Sequence, residues 1–311
     1  STYAIEKGHF CPVCYGTDMI CYGHNPQGSQ RIQCRNCKKV WTPKQYQKEI
    51  THPQAIETVQ LFIPFQGASA VQKLYVLVSL DATRGNILHL STNYTQHQTG
   101  DSLRYSYKGN TEPTMHHRDI VQKVDMREAQ FLRRSQFDEI QYGSAVLKRN
   151  GKGAILRPVI TAHGHFRILK IRYPDVKTHI ISHECFLRGA IITAWADQFR
   201  QQQGELWFVE EEISDSNADT PWHFKGTTYH GWWQNQWQRW EQGNNCKMVC
   251  LLTGACLERG ANVSLATSRC FITWLTDQHD FTQSALLSAG RVTQMLTSLA
   301  LKYNESLTPS C

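Results

Sequence analysis

Between Leu74 and Tyr94 the chain reads LYVLVSL, breaks at a polar turn closed by Gly85, and resumes as ILHL, a strand, a tight turn and a second strand. Tyr75 and Leu77 are core positions of the first strand, and Asp81 stands at its end. In DSLRYSYKG the alternation of Leu103, Tyr105 and Tyr107 predicts a third strand. From Asp119 to Tyr142 apolar Ala129, Leu132 and Phe137 recur among charges, which predicts a helix stopped at Gly143. AILRPVITAHGHFRILKI reads as strand, VKTHIISHE as a short strand ending at Glu184, and CFLRGAIITAWADQFRQ as the helix after it. GELWFVEEEISDSN adds one more strand. In HGWWQNQWQRWEQG, Trp233, Trp237 and Trp240 stand at helical spacing and predict a stripe that packs a core. The last stretch, through MVCLLTGACLERG and QSALLSAGRVTQMLTSLALKYNES, reads as amphipathic helix with Leu286, Val292, Leu296, Leu299 and Leu301 as its apolar face. Residues 46–73 are polar and cut by Pro53 and Pro64, and they read as a linker or small helix.

These elements make an α/β (α+β) chain of 311 residues, long enough for a small module and one or two ordinary domains. Hydrophobic content of 41% and charged content of 19% are those of a globular rather than a disordered chain. No apolar run approaches the roughly 20 residues that cross a bilayer, and no signal-peptide core is seen, so the expected location is the cytoplasm and no membrane partner is expected. A net charge of +7 suits a polyanionic partner without requiring one.

The strongest chemical signal is Cys11-x2-Cys14, nineteen residues, Cys34-x2-Cys37. Two close thiolate pairs joined by a loop that folds back supply four soft ligands for tetrahedral zinc, a closed and therefore structural site. Cys21, Cys185, Cys246, Cys250, Cys256, Cys270 and Cys311 remain, and in a reducing compartment they are expected to stay thiols. Around the second pair lie Arg31, Arg35, Lys38, Lys39, Trp41 and Lys44, a basic and partly aromatic surface. CPVCYGTDMICYGHNPQGSQRIQCRNCKKVWTP resembles the N-terminal zinc ribbon of bacterial insertion-sequence transposases, over about the first 43 residues. That resemblance implies a DNA-contacting ribbon over residues 1–45, with Arg31, Arg35, Lys38, Lys39 and Lys44 meeting phosphates and Trp41 buttressing the fold. The helix-turn-helix that usually follows is not evident.

The order of elements beyond the ribbon resembles the RNase H-like core of such transposases, over residues 74–245, with a helical region over 246–311. The resemblance implies two aspartates and a glutamate on divalent magnesium or manganese. Asp81 matches the first and Glu184 the third; where the second is expected, Ile160-Thr161-Ala162-His163 offers only His163. Asp119 and Asp175 are further carboxylates that fill the gap if the fold brings them in. Asp81 is equally a turn-starting residue, and the histidines are equally core or surface groups. Glu210, Glu211 and Glu212 form an acidic run that reads as a solvated face. No Walker loop and no serine nucleophile elbow is found. Three readings stay open: a zinc-ribbon DNA-binding protein with an incomplete catalytic set and a regulatory or architectural role; an active metal-dependent transposase or nuclease using Asp81, Glu184 and His163; and a zinc-stabilised protein-interaction module. A homo-oligomer is compatible with each.

Overall fold

In the computed structural model the described residues are 11, 13, 18–42, 52–66, 71–95, 119–141, 154–156, 158–253 and 258–307. Near the N-terminus β1 (Met19–His24), β2 (Gln30–Cys34) and β3 (Val40–Trp41) form a three-stranded antiparallel sheet. Its β1–β2 turn closes where Gly28 takes φ +81°, a conformation that glycine adopts without a Cβ clash.

The main sheet begins with three antiparallel strands, β4 (Ala55–Gln66), β5 (Val71–Asp81) and β6 (Ile87–Thr92). A small ladder joins β7 (Tyr94–Thr95) to β8 (Ala154–Ile155), and between them comes α1 (Ile120–Gln141). The chain continues through α2 (Pro158–Arg172) into β9 (Thr178–Ser182), then through α3 (Cys185–Ala194) and α4 (Ala196–Arg200) into β10 (Glu205–Glu212). A meander of β11 (His223–His230), β12 (Asn235–Gln242) and β13 (Asn245–Leu251) follows, and α5 (Ala266–Thr276), α6 (His279–Thr282) and α7 (Ala289–Leu307) complete the described chain. The strand order is β11-β12-β13-β10-β9-β4-β5-β6, and β9 runs parallel to both β4 and β10.

Alternation along the central strands sends side chains into two cores. Val59, Ile63, Leu74, Val76, Val78, Leu80, Trp207 and Val209 meet α5 and α7 through Phe271, Leu275, Val292, Leu296 and Tyr303. Ile56, Tyr75, Leu77, Leu206 and Phe208 meet α1, α2 and α3 through Val124, Phe131, Phe166, Leu187 and Ile191 on the other face. The result is helix, sheet, helix in three layers, and strands buried on both faces are long apolar runs rather than strict alternations. No helix among the described residues is long and apolar enough to cross a membrane.

The expected linker at 46–73 contains β4, a central strand; Val59, Leu61, Ile63 and Phe65 carry its period of two, which the polar letters Glu57, Thr58 and Gln60 mask. Pro64 is tolerated because β9 borders β4 only as far as Thr58, leaving an open edge beyond. The stretch 158–172 is helix, not strand: Pro158 opens it, and the buried Thr161, Ala162, His165, Phe166 and Leu169 follow helical steps of one and three. The tryptophan segment is strand rather than helix, so Trp237 enters one core, Trp240 packs on the other, and Trp233 lies in the preceding turn, mostly exposed. Residues 245–251 are sheet, so no domain boundary falls at 245. The third strand expected at 101–109 lies outside the described residues.

Candidate functional site

The cysteines lie around β2: Cys11 comes before β1, and Cys37 follows β2 in the turn. Cys34 closes β2, and the chain turns back at once: Lys38 donates its N–H to the Cys34 carbonyl, Cys34 donates to the Lys39 carbonyl, and Lys38 takes φ 63°. That tight knuckle carries Cys37 back toward Cys34. Cys11 arrives from the N-terminal side, and the sulfurs of Cys11, Cys34 and Cys37 all lie within 4.8 Å of one another, with Cys11 and Cys37 3.3 Å apart. Four thiolates around a tetrahedral zinc at about 2.3 Å stand about 3.8 Å from each other, so the three fit a common metal. Cys14, the expected fourth ligand, lies outside the described residues, as does Lys44.

Arg35, Lys38 and Lys39 are exposed on this knuckle, while Arg31 is half-buried with its guanidinium over the Tyr22 ring at 5.6 Å. Arg35 lies 3.8 Å from Asp18, a loose and exposed pair. Trp41 pairs with Ile32 across β2 and β3 and is half-buried against the small sheet.

The proposed catalytic set does not assemble. Asp81 is level with Ile56 on β4, which is level with His179 on β9; Glu184 lies five residues further along, about 16 Å at roughly 3.3 Å per residue. Asp81 spends one oxygen accepting the N–H groups of Thr83 and Arg84, at 2.9 and 3.0 Å, and so acts as the turn-starting residue. His163 is exposed on the outer face of α2. Glu184 is buried at the N-cap of α3 and accepts the Cys185 thiol at 3.2 Å. Among the described residues, the cysteines are the group whose ligand atoms converge for a metal, and Asp81, His163 and Glu184 are not one. Asp119 hydrogen-bonds the start of α1 through Val121 and Gln122 instead.

A cavity of about 400 Å³ does open in the main sheet, at a place the sequence did not mark. Five-residue β9 stops at Ser182 while twelve-residue β4 and eight-residue β10 run on, leaving a gap at the carboxyl ends of the parallel strands. Such a gap, where the chain switches direction across the sheet, is the usual ligand crevice of open α/β folds. Gln60, Ser182 and His183 line it from the sheet, Arg127 enters from α1, and Ser268 and Arg269 enter from α5. Its charges are already matched: Arg127 Nε lies 3.2 Å from Glu210, and Arg269 pairs with Glu211. On the α1 side Glu212 pairs with Lys123. The acidic run is therefore tied into both helical layers rather than free to hold a cation.

Two buried carboxylates escaped the sequence reading. Glu57 on β4 accepts Ser268 N–H at 3.1 Å and Ser268 Oγ–H at 2.9 Å, capping α5; burial raises its pKa, against the pull of those hydrogen bonds. Glu128 on α1 accepts His183 Nε2 at 3.2 Å, Asn235 at 3.3 Å and Trp237 Nε1 at 3.3 Å, all on one oxygen. Burial works against its charge, but these donors hold the carboxyl below its ordinary range. The β4 alternation was the available signal for Glu57; Glu128 had none, since its partners come from 55 to 109 residues away.

No protein-family model matches the chain, and none of the curated proteins does. Among solved structures, the piggyBac transposase synaptic complex with hairpin DNA aligns with 82% of this chain and 48% of that one, at 6% identity and a TM-score of 0.27. The chain spans about half the length of that transposase chain, and the score lies below that of two chains sharing one fold.

Proposed function

We propose that the chain is a zinc-ribbon DNA-binding protein related to insertion-sequence transposases, whose α/β domain serves a regulatory or architectural role. The observation that carries this reading is the convergence of Cys11, Cys34 and Cys37 beside an exposed Arg35, Lys38 and Lys39. Zinc there would be held by thiolates alone, with Cys14 as the fourth, and would supply rigidity to a small sheet too thin to hold a core. The knuckle then presents its cations as a fixed cluster for phosphate oxygens.

The main sheet supports the same descent. Three antiparallel strands followed by two parallel strands added beyond the first is the order of an RNase H-like domain. In that frame β4 is the first strand and β9 the fourth, so Glu57 and the Ser182-His183-Glu184 corner stand where the family's catalytic groups are sought. Glu57 is committed to capping α5, and the carboxylates that line the crevice between the strands are paired as Arg127–Glu210 and Arg269–Glu211. Strand cleavage by two divalent ions would need those carboxylates on metal instead.

The test is titration of duplex DNA by fluorescence anisotropy across a salt series. Binding is expected to weaken steeply with salt, and R35Q/K38Q/K39Q is expected to lower the log–log slope by about 1 per cation removed. A slope unchanged in the triple variant would remove the ribbon from the DNA contact.

A further inference from the structure

At the α1 end of the β11–β12 hairpin, Asp125, Glu128, Ala129, Gly231, Trp232 and Gln234 line a second cavity of about 440 Å³. It is built on an unusual carboxylate. Glu128 is only 4% exposed, and its three hydrogen-bond donors all approach Oε1. Oε2 instead lies against the hairpin, so close to Gly231 that a Cβ there would stand 2.6 Å from it. Gly231, at φ 78°, therefore serves twice, making the turn and leaving room for the carboxylate. The fold has already met the cost of burying this charge through the donors on Oε1, and the same carboxylate residue borders the cavity.

The rest of the lining suits the same ligand. Asp125 adds a second carboxylate, one oxygen of which lies 3.3 Å from His230 Nδ1, and its side chain is otherwise exposed. Trp232 is 77% exposed, the most exposed large aromatic among the described residues, and its indole walls the cavity. An open aromatic face beside two carboxylates attracts a cation by quadrupole and by charge together. In a chain of net charge +7 such a spot is against the prevailing sign. Among the described side chains of α1, the cationic Lys123 and Arg127 are held on Glu212 and Glu210 of β10.

We propose that this cavity is a recognition site for an organic cation, an alkylammonium or guanidinium group, seated on Trp232 between the Asp125 and Glu128 carboxylates. Such a group is carried by a free amine or by a lysine or arginine side chain of a protein partner, and the chemistry of the site is the same for both.

Calorimetric titration of the full chain tests the site and separates the two head groups. The probes are choline, N-acetyl-arginine amide, and 3,3-dimethylbutanol, a neutral isostere of the choline head. The two cations are expected to bind saturably and the isostere not; the tighter of the two shows whether the site prefers an ammonium or a guanidinium head. Trp232→Ala and Asp125→Asn alter exposed groups and leave the three donors to Glu128 in place, so circular dichroism is expected to be unchanged. Each is expected to weaken the cation about 3- to 10-fold. Equal binding of the isostere, no saturable binding of either cation, or wild-type affinity in both variants would overturn the proposal. DNA binding by the ribbon is read in a separate assay, so the two conclusions fail independently.

Discussion

His89, His165 and His179 are imidazoles that the fold keeps neutral. His165 receives or donates hydrogen bonds at 2.7 Å to Ser79 on one nitrogen and to Ser91 on the other, and Ser91 continues to His89 while Ser79 continues to Thr58. His179 packs against Trp195 at 4.3 Å between ring centroids. Burial first, and nearby cationic Arg172 second, lowers His89 to about 4; burial, with Lys170 behind it, lowers His179 to about 3, and His165 falls well below the usual value. The sign follows from linkage. In the unfolded chain these groups take protons near pH 6.5, whereas folded they do not, so the unfolded state binds more protons below 6.5. Their contribution is fully present above that pH and is lost as pH falls from about 6.5 toward 4 and 3, at about 1.4 kcal/mol per pH unit for each group. Urea midpoints are expected to drop clearly between pH 7 and pH 5, and His179→Phe is expected to remove about a third of the drop. Midpoints level across that range would show the histidines are not buried neutral. Glu57 works the other way, because its raised pKa costs stability as pH rises through it, and Glu57→Gln is expected to gain most at alkaline pH. None of this was readable from the letters: His163 and His165 look alike in the sequence, and only the helical phase of α2 buries one and exposes the other.

The element that best separates sequence logic from the folded result is β12. Spacings of three and four put tryptophans on one helical face, but in a strand they alternate, and Trp237 and Trp240 part to opposite cores. Trp237→Ala is expected to cost about 3–5 kcal/mol by equilibrium unfolding, and Trp233→Ala no more than about 0.5 kcal/mol. Equal costs would restore the single stripe. The strands β5 and β6 and the helices α1, α3 and α7 were legible because their periodicity is unbroken. β4 and α2 were not, because each depends on neighbours from elsewhere: β4 is buried on both faces by helices on either side, and α2 is fixed by the face it turns to Tyr75, Leu77 and Leu88. The catalytic triad failed for the same reason. Asp81 and Glu184 stand at different levels of the sheet, and only the pairing of β5 with β4 and of β4 with β9 sets that separation.

For the whole molecule, the ribbon and the main sheet rest on different chemistry. Among the described residues, one buries Cys11, Cys34, Met19 and Ile32; the other has two hydrophobic cores. Zinc chelation is expected to release fast amide exchange across residues 19–41 while β4, β5 and β10 stay protected, and Cys34→Ser/Cys37→Ser is expected to do the same without chelator. Loss of protection in the main sheet on chelation would mean the metal supports both. Spacing alone marked the cysteines that converge, since close pairs of thiols are a local signal. The cavities were invisible, being made of residues that meet across more than a hundred positions, such as Asp125 and His230.

Pleating on β10 has a mechanical consequence. Glu210 and Glu212 face α1 and hold Arg127 and Lys123, whereas Glu211 faces the other way and holds Arg269 and the backbone N–H of Leu265 at the start of α5. Three consecutive side chains of one strand therefore act as two separate tethers, one to each outer layer. A change at 211 loosens the covering on one side and leaves the opposite side anchored, so the sandwich can yield one leaf at a time.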